Sequence, residues 1–295
     1  MCCSLSPDLL QSDQANGKVL QSVILPGLCC QAAGGDPLWT DNITSAWYLL
    51  YVAAHLMDSV QDQDEPDDWW ADLGPGAALS VATGLFFSAS QALNNLLNDP
   101  HTRHAAASII EDFSQSFLHM SGGQYRDLTQ PQPTLDQYWE VSSAKSGVFF
   151  ALACRGGARL ATDDTQFLAA YGSFGEQIGA LVQIRDDLQD LQPFQSSDLS
   201  TWRRKLSHSL ASVYALEVLP QLERERLQEC LAAVPFDLQV VENALHLIDQ
   251  SGAGLYLLVE MERHRSLGLA ALERTSGRPP AIEILASFLN DLCKK

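Results

Sequence analysis

The sequence predicts an all-α, single-domain helical bundle, and three observations carry that expectation. Nearly every segment repeats apolar residues at a 3.6-residue period, while alternation of period two is scarce. No Gly/Ser/Pro-rich linker separates regions of different composition, so the 295 residues read as one unit. At 46% hydrophobic, the chain has ample apolar material for one large core. Residues 1–14 are expected to form a flexible tail.

The periodicity and its punctuation order the helices. A first helix near 7–32 stops at Gly34-Gly35-Asp36-Pro37. A second, near 41–63, carries the stripe Trp47, Tyr51, Ala54, Asp58 and Asp62, then exits through an acidic run to Asp68. Gly74-Pro75-Gly76 opens a helix near 75–98, and Asp99-Pro100 closes it. Helices near 101–121 and 123–129 share the stripe Ile110, Phe113, Phe117, Met120, Gln124 and Asp127, and stop before Pro131 and Pro133. The helix near 134–156 carries Leu135, Tyr138, Ser142, Lys145, Phe149 and Leu152, ending at Gly156-Gly157. The helix near 164–191 carries Phe174, Ile178, Val182, Asp186 and Asp190. Further helices are expected near 207–231, 238–250, 253–274 and 280–293.

Composition narrows the function. Eighteen Lys and Arg against 36 Asp and Glu give a formal charge of −18, which argues against nucleic acid and against anionic membrane surfaces. No apolar run reaches the roughly 18–20 residues that span a bilayer, so the chain is not expected to be an integral membrane protein. The N-terminus carries neither a basic leader nor a long apolar segment, so no signal peptide is expected. Seven cysteines without zinc-type spacing suggest structural thiols in a reducing cytoplasm.

Two apolar stripes turn acidic at one end. Asp58 and Asp62 close one, and Asp186 and Asp190, 128 residues further on, close the other. Residues at i and i+4 share a helix face roughly 5–6 Å apart at Cβ, a spacing at which two carboxylates can hold a hard divalent ion. Acidic helix ends are ordinarily solvated. It is the repetition of the pattern that points to two helices facing each other across a Mg²⁺ site. Mg²⁺ takes few protein oxygens and leaves positions for phosphate. Lys145 sits on an apolar stripe, where an ammonium makes sense if it meets a buried anion.

Three ordered motifs carry a resemblance. Tyr171-Gly172 through Asp186-Asp187-Leu188-Gln189-Asp190 resembles the second Asp-rich helix of the polyprenyl synthetase family, the trans-isoprenyl diphosphate synthases. Gly123-Gln124 through Asp127-Leu128 is similar to the family's GQxxDL segment, and Lys145-Ser146-Gly147 to its diphosphate-contacting lysine segment. The similarity runs through roughly 15–216. It implies an isoprenoid-synthase bundle with a deep central cavity, bound Mg²⁺, an allylic prenyl diphosphate and a homodimer. It also implies metal ligation by Asp58, Asp62, Asp186 and Asp190, supported by Asp187 and Gln183. Gln124, Asp127 and Lys205 are then substrate-binding residues, and Lys145 neutralises the leaving diphosphate.

The chain departs from the family where the second substrate binds. Ser59 replaces the middle aspartate of the first Asp-Asp-x-x-Asp motif. The Gly-Gly-Lys-Arg-x-Arg-Pro segment that holds isopentenyl diphosphate appears as Asn16-Gly17-Lys18-Val19-Leu20-Gln21-Ser22, keeping one cation of three. An acidic stretch, Pro66-Asp67-Asp68, stands where Arg-Arg-Gly is usual. A second diphosphate needs fixed cations. The expected activity is therefore Mg²⁺-dependent ionisation of an allylic diphosphate, with capture inside a terpene-synthase-like cyclase or lyase, or by a non-diphosphate acceptor. Elongation with isopentenyl diphosphate and a non-catalytic regulatory subunit are the alternatives. Phe149, Phe150 or Tyr51 could offer a π face to the cation. Small Ala53 and Ala54 let a prenyl tail pass, and Trp47, about 16 Å down the helix, could form a floor for a C15–C20 substrate.

Overall fold

The computed structural model describes residues 22–61, 74–130, 132–191, 199–233 and 237–294, and among these every regular element is helical. Helix α1 (Leu25–Ala33) ends where Gly34 takes a left-handed φ of 100°. A 3₁₀ turn (Pro37–Thr40) comes next, capped by the Asp36 carboxylate, and leads into α2 (Asp41–Gln61). The next helices are α3 (Gly74–Asn95), α4 (Arg103–Thr129) and α5 (Leu135–Ser142). A π turn (Ser143–Gly147) joins α5 to α6 (Val148–Arg159). The long α7 (Thr165–Asp190) starts on an Asp164 cap. Then come α8 (Leu199–His208), α9 (Leu210–Val218), α10 (Gln221–Ala232), α11 (Leu238–Gln250), α12 (Ala253–Arg274) and α13 (Ala281–Leu292).

Helix α8 (Leu199–His208) lies almost wholly where the sequence reading expects no helix, and three other boundaries differ from it. Gly122-Gly123 does not break α4, because Gly123 lies inside the bundle, where a Cβ would come within 2.8 Å of the Ala144 methyl. The stretch 134–156 is interrupted by the π turn, which adds a residue to one turn and so rotates α6 relative to α5. The stretch 207–231 divides, because Ser209 turns extended to cap α9 and Pro220 opens α10.

One apolar stretch is longer than the sequence reading has it. Helix α3 has 22 residues, no charge and a mean hydropathy of 1.3 over its most apolar window, so among the described residues one helix is, by length and composition, long and apolar enough to cross a membrane. Interleaved serine, threonine and glycine hide this in the sequence. The Ser80, Thr83, Ser88 and Ser90 hydroxyls each donate to the carbonyl four residues back, which leaves the helix surface unusually apolar. It packs along α2 through Ala78, Ala82, Ala89 and Leu93.

Helix α7 is the central rod, flanked by α6 and the π turn on one side and by α12 on another. Glycines permit that approach: a Cβ at Gly175 would collide with the Phe150 carbonyl, and one at Gly179 with the Ser146 carbonyl. Phe113, Phe174, Tyr171, Trp47, Ile178 and Leu152 are all fully buried around this rod. The core therefore holds the ends of α2, α4 and α7 in register with the π turn.

Candidate active site

The π turn is the hub. Its Lys145 ammonium donates to Asp127 Oδ2 of α4 at 2.7 Å and to Asp58 Oδ1 of α2 at 3.3 Å. The next residue, Ser146, donates its hydroxyl to Gln183 Oε1 of α7 at 3.3 Å. Gln183 passes the contact one turn on, its Nε2 donating to Asp187 Oδ1 at 3.2 Å. So Asp58 of α2 and Gln183 of α7, far apart in sequence, contact two adjacent residues. Adjacent side chains on a helical turn point in different directions, so 145 and 146 reach different helices.

Lys145 meets anions of its own chain. Its side chain keeps 25% of its surface, against 33% for Asp127 and 41% for Asp58, so this is a half-open ion-pair cluster at the rim of the bundle. Gln124, one turn before Asp127, donates to Gln61 Oε1 of α2 at 3.1 Å, which ties the two rims together. The Gln124 Oε1 acceptor is buried with no hydrogen-bond partner.

The α7 stripe does not run as the sequence reading has it. A step of four residues overshoots the helical turn by about 40°, so three steps from Phe174 rotate Asp186 about 120° away from the core line. Phe174 and Ile178 are fully buried, Val182 is half-buried and Asp186 is exposed. Asp187 instead continues the buried line of Ala180 and Ile184 and is only 4% exposed. It accepts from the Tyr138 hydroxyl at 2.6 Å and from the Leu210 N–H at 2.6 Å. In α2 the corresponding position, Ser59, is buried too, at 7%. The serine there removes no carboxylate from the open side that Asp58 faces.

Tyr138 is the residue that sequence reasoning missed, taken as one more apolar member of the Lys145 stripe. Burial, then the Asp187 charge and hydrogen bond, then the charges of Asp186 and Asp127, hold its phenol well above the usual range. Of these carboxylates, Asp187 is the one that touches the hydroxyl. The signal in the sequence was a polar tip on a core stripe, two turns before Lys145.

Beneath Lys145 the wall is aromatic. Phe149 stacks on Trp47 at 4.4 Å and lies 6.2 Å from Tyr51, and the Trp47 indole N–H donates to the Phe149 carbonyl at 2.9 Å. Trp47 is thus wedged between α2 and α6. Ala54 is half-buried above it, and Ala53 is fully buried. Hollows of about 560 Å³ (against His119, Arg126 and Trp139) and about 320 Å³ (against Ile24, Leu28 and Thr40) lie elsewhere, and neither is lined by Asp58, Lys145 or Asp186. Lys205 lies exposed on α8. Asp62, Lys18 and Pro66–Trp70 fall outside the described residues, as does the Asp190 side chain.

Among the described residues no three His, Cys, Asp or Glu side chains stand close enough to hold an ion by themselves. The Asp58 and Asp127 carboxylates beside Lys145 are oxygen ligands of the kind a hard divalent cation takes, and the buried Gln124 Oε1 has no hydrogen-bond partner.

The fold is an all-α bundle in which Asp58, Asp127 and Gln183, from three helices, converge on a lysine-bearing turn. The polyprenyl synthetase profile matches residues 11–248, and the chain belongs to that family. The short chain isoprenyl diphosphate synthase of Methanothermobacter thermautotrophicus is 25% identical over 89% of this chain and 82% of its own length. The tryptophan prenyltransferase ComQ of Bacillus subtilis subsp. natto is 26% identical over 58% of this chain and 50% of its own. Beyond the first of these, the chain spans about half the length of the curated relatives it matches. The geranylgeranyl pyrophosphate synthetase from Pyrococcus horikoshii superposes with a TM-score of 0.82 at 21% identity, covering 94% of this chain and 86% of that one.

Proposed function

We propose that the chain is an enzyme acting on an allylic prenyl diphosphate of C15–C20 order, releasing pyrophosphate in a Mg²⁺-dependent ionisation. The supporting observation is that Asp58 of α2 and Gln183 of α7, one turn before Asp187, both contact the π turn, at Lys145 and Ser146. In this reading Asp58, Asp62, Asp186 and Asp190 hold the metal. Bound there, Mg²⁺ supplies charge neutralisation to the departing diphosphate. Lys145 binds the same diphosphate as a point charge, and Asp127 keeps its ammonium aimed at the rim. Gln183, held between Ser146 and Asp187, presents a fixed amide at the same opening. Phe149 and Tyr51 line the apolar side and face the developing allylic cation.

Capture of that cation falls to ring closure, proton loss or a non-diphosphate acceptor. The loss of two of the three cations in the 16–22 segment and the acidic Asp67-Asp68 support this. Likeness to a tryptophan prenyltransferase is in keeping with a non-diphosphate acceptor. Elongation with isopentenyl diphosphate is the second reading, favoured by likeness to a short chain isoprenyl diphosphate synthase along most of both chains. Pure protein given Mg²⁺ and geranyl, farnesyl or geranylgeranyl diphosphate, with and without labelled isopentenyl diphosphate, tests both. Pyrophosphate and hydrocarbons or alcohols without labelled longer diphosphates support the first; labelled longer products support the second. No pyrophosphate from any of them sinks both.

A second copy of this chain is the partner we expect, seated on α3 and α4. In a chain of charge −18, α3 offers an uncharged face with Phe87 at 72% and, beside it on α4, Leu118 at 76% exposure. Like-charged copies can approach most easily there.

A further inference from the structure

We propose that Asp187 and Tyr138 form a positioning pair that sets the geometry of the site, and that Asp187 holds no metal. This rests on the proposed function, in which Asp186 and Asp58 do. Adjacent residues of an α-helix point about 100° apart, so Asp186 and Asp187 cannot serve one ligand from one face. The structure divides them accordingly: Asp186 is exposed, and Asp187 is 4% exposed.

The buried carboxylate is held from three elements. The Tyr138 hydroxyl of α5 donates to Oδ2 at 2.6 Å, and so does the N–H of Leu210, the first residue of α9, at 2.6 Å. Gln183 Nε2 donates to Oδ1 at 3.2 Å. Leu210 stands at the N-terminus of α9, whose positive end favours a carboxylate. A charge this deep is stable only when so compensated. With that compensation supplied by the protein, Asp187 belongs to the fold's hydrogen-bond framework.

The connections of the pair determine its reach. Tyr138 and Lys145 lie on the same α5–π-turn segment, so fixing Tyr138 against α7 fixes the start of the turn that carries the ammonium. Gln183 is clamped between Asp187 and Ser146, which fixes the turn's other side. Lys145 is thereby set relative to the last turn of α7, where Asp186 faces outward. Ser59 is the buried counterpart in α2, but a serine cannot supply the charge that Asp187 brings to its three donors, so the two motifs are not equivalent.

The test compares Asp187→Asn, Tyr138→Phe, their double variant and Asp186→Asn. Each is melted in EDTA, titrated with Mn²⁺ plus inorganic pyrophosphate by electron paramagnetic resonance, and assayed for pyrophosphate release well below its melting point. Asp187→Asn and Tyr138→Phe should lower the metal-free Tm by roughly 3–10 °C, since each breaks hydrogen bonds to a buried charge. They should keep Mn²⁺ affinity within about threefold and lose about tenfold in kcat with little change in KM. The double variant should be no worse than Asp187→Asn alone. Asp186→Asn should weaken Mn²⁺ binding by about tenfold or more. Asp187→Asn weakening Mn²⁺ as much as Asp186→Asn overturns the proposal, as do multiplying losses in the double variant or an unchanged kcat in both single variants. Should the parent protein turn over no prenyl diphosphate, the functional reading fails, while the melting and Mn²⁺ arms still judge the pair.

Discussion

Replacing Lys145 with Met keeps the side chain's length and removes its charge. The ammonium sits 2.7 Å from Asp127 and 3.3 Å from Asp58. A unit pair at the shorter distance is worth about 1.5 kcal/mol in water and about 6 kcal/mol at an effective dielectric of 20. All three side chains keep a quarter or more of their surface, so screening brings the net value toward the exposed-pair range, about 1 kcal/mol or less. For a chain of this size that is a Tm loss of roughly 2–4 °C. The catalytic loss should be far larger. Removing one preorganised donor from a developing negative charge costs about 10²–10³ in kcat, or about 2.7–4 kcal/mol. Lys145→Arg should restore part of the rate, because the charge remains while its geometry changes. Pyrophosphate release with farnesyl and geranylgeranyl diphosphate, alongside thermal melts of the same preparations, reads both quantities. A Lys145→Met variant within about threefold of the parent kcat would refute the role of the ammonium and leave it a rim salt bridge.

Three further outcomes are expected. Trp47→Ala should cost about 3–5 kcal/mol in urea denaturation, since a fully buried indole leaves a cavity and loses its own hydrogen bond to the Phe149 carbonyl; it should also shift preference to longer prenyl diphosphates, and unchanged preference makes Trp47 packing alone. Phe87→Glu should convert a dimer to monomer in sedimentation with little change in Tm; an unaltered oligomeric state removes α3 as the contact. His264 is held below the usual imidazole range by burial, opposed by Glu260 and aided by Arg263, with Gln177 on its Nδ1 and the Trp139 ring beside it. A base with a lowered folded pKa binds more protons unfolded, so stability should fall as pH drops below about 6.5. Melts from pH 7.5 to 5 should show a shallower fall for His264→Gln; an identical slope refutes the assignment.

Much of the site was legible because helical spacing is local geometry. Trp47, Tyr51, Ala54 and Asp58 fall within about 30° of one line by their 4, 3 and 4 spacing, and Asp58 does face Lys145. Gln124 and Asp127 likewise follow from their stripe. The constant four-residue step in α7 misled, because drift accumulates and delivers Asp187, not Asp186, to the interior. Tyr138 was illegible as a site residue: a tyrosine on an apolar stripe reads as core until its hydroxyl is seen on Asp187.

By itself the sequence determined the all-α class, the acidic ends of two helices and the presence of a cation on a buried stripe, since each depends only on residue type and a 3.6 period. Which carboxylates are open and which are locked, and that adjacent residues of a π turn serve two helices, only the tertiary structure decided. Those properties arise from the backbone contacts that Gly175 and Gly179 permit between α7 and the 143–151 segment. No periodicity along one strip of chain records how closely another comes to lie against it.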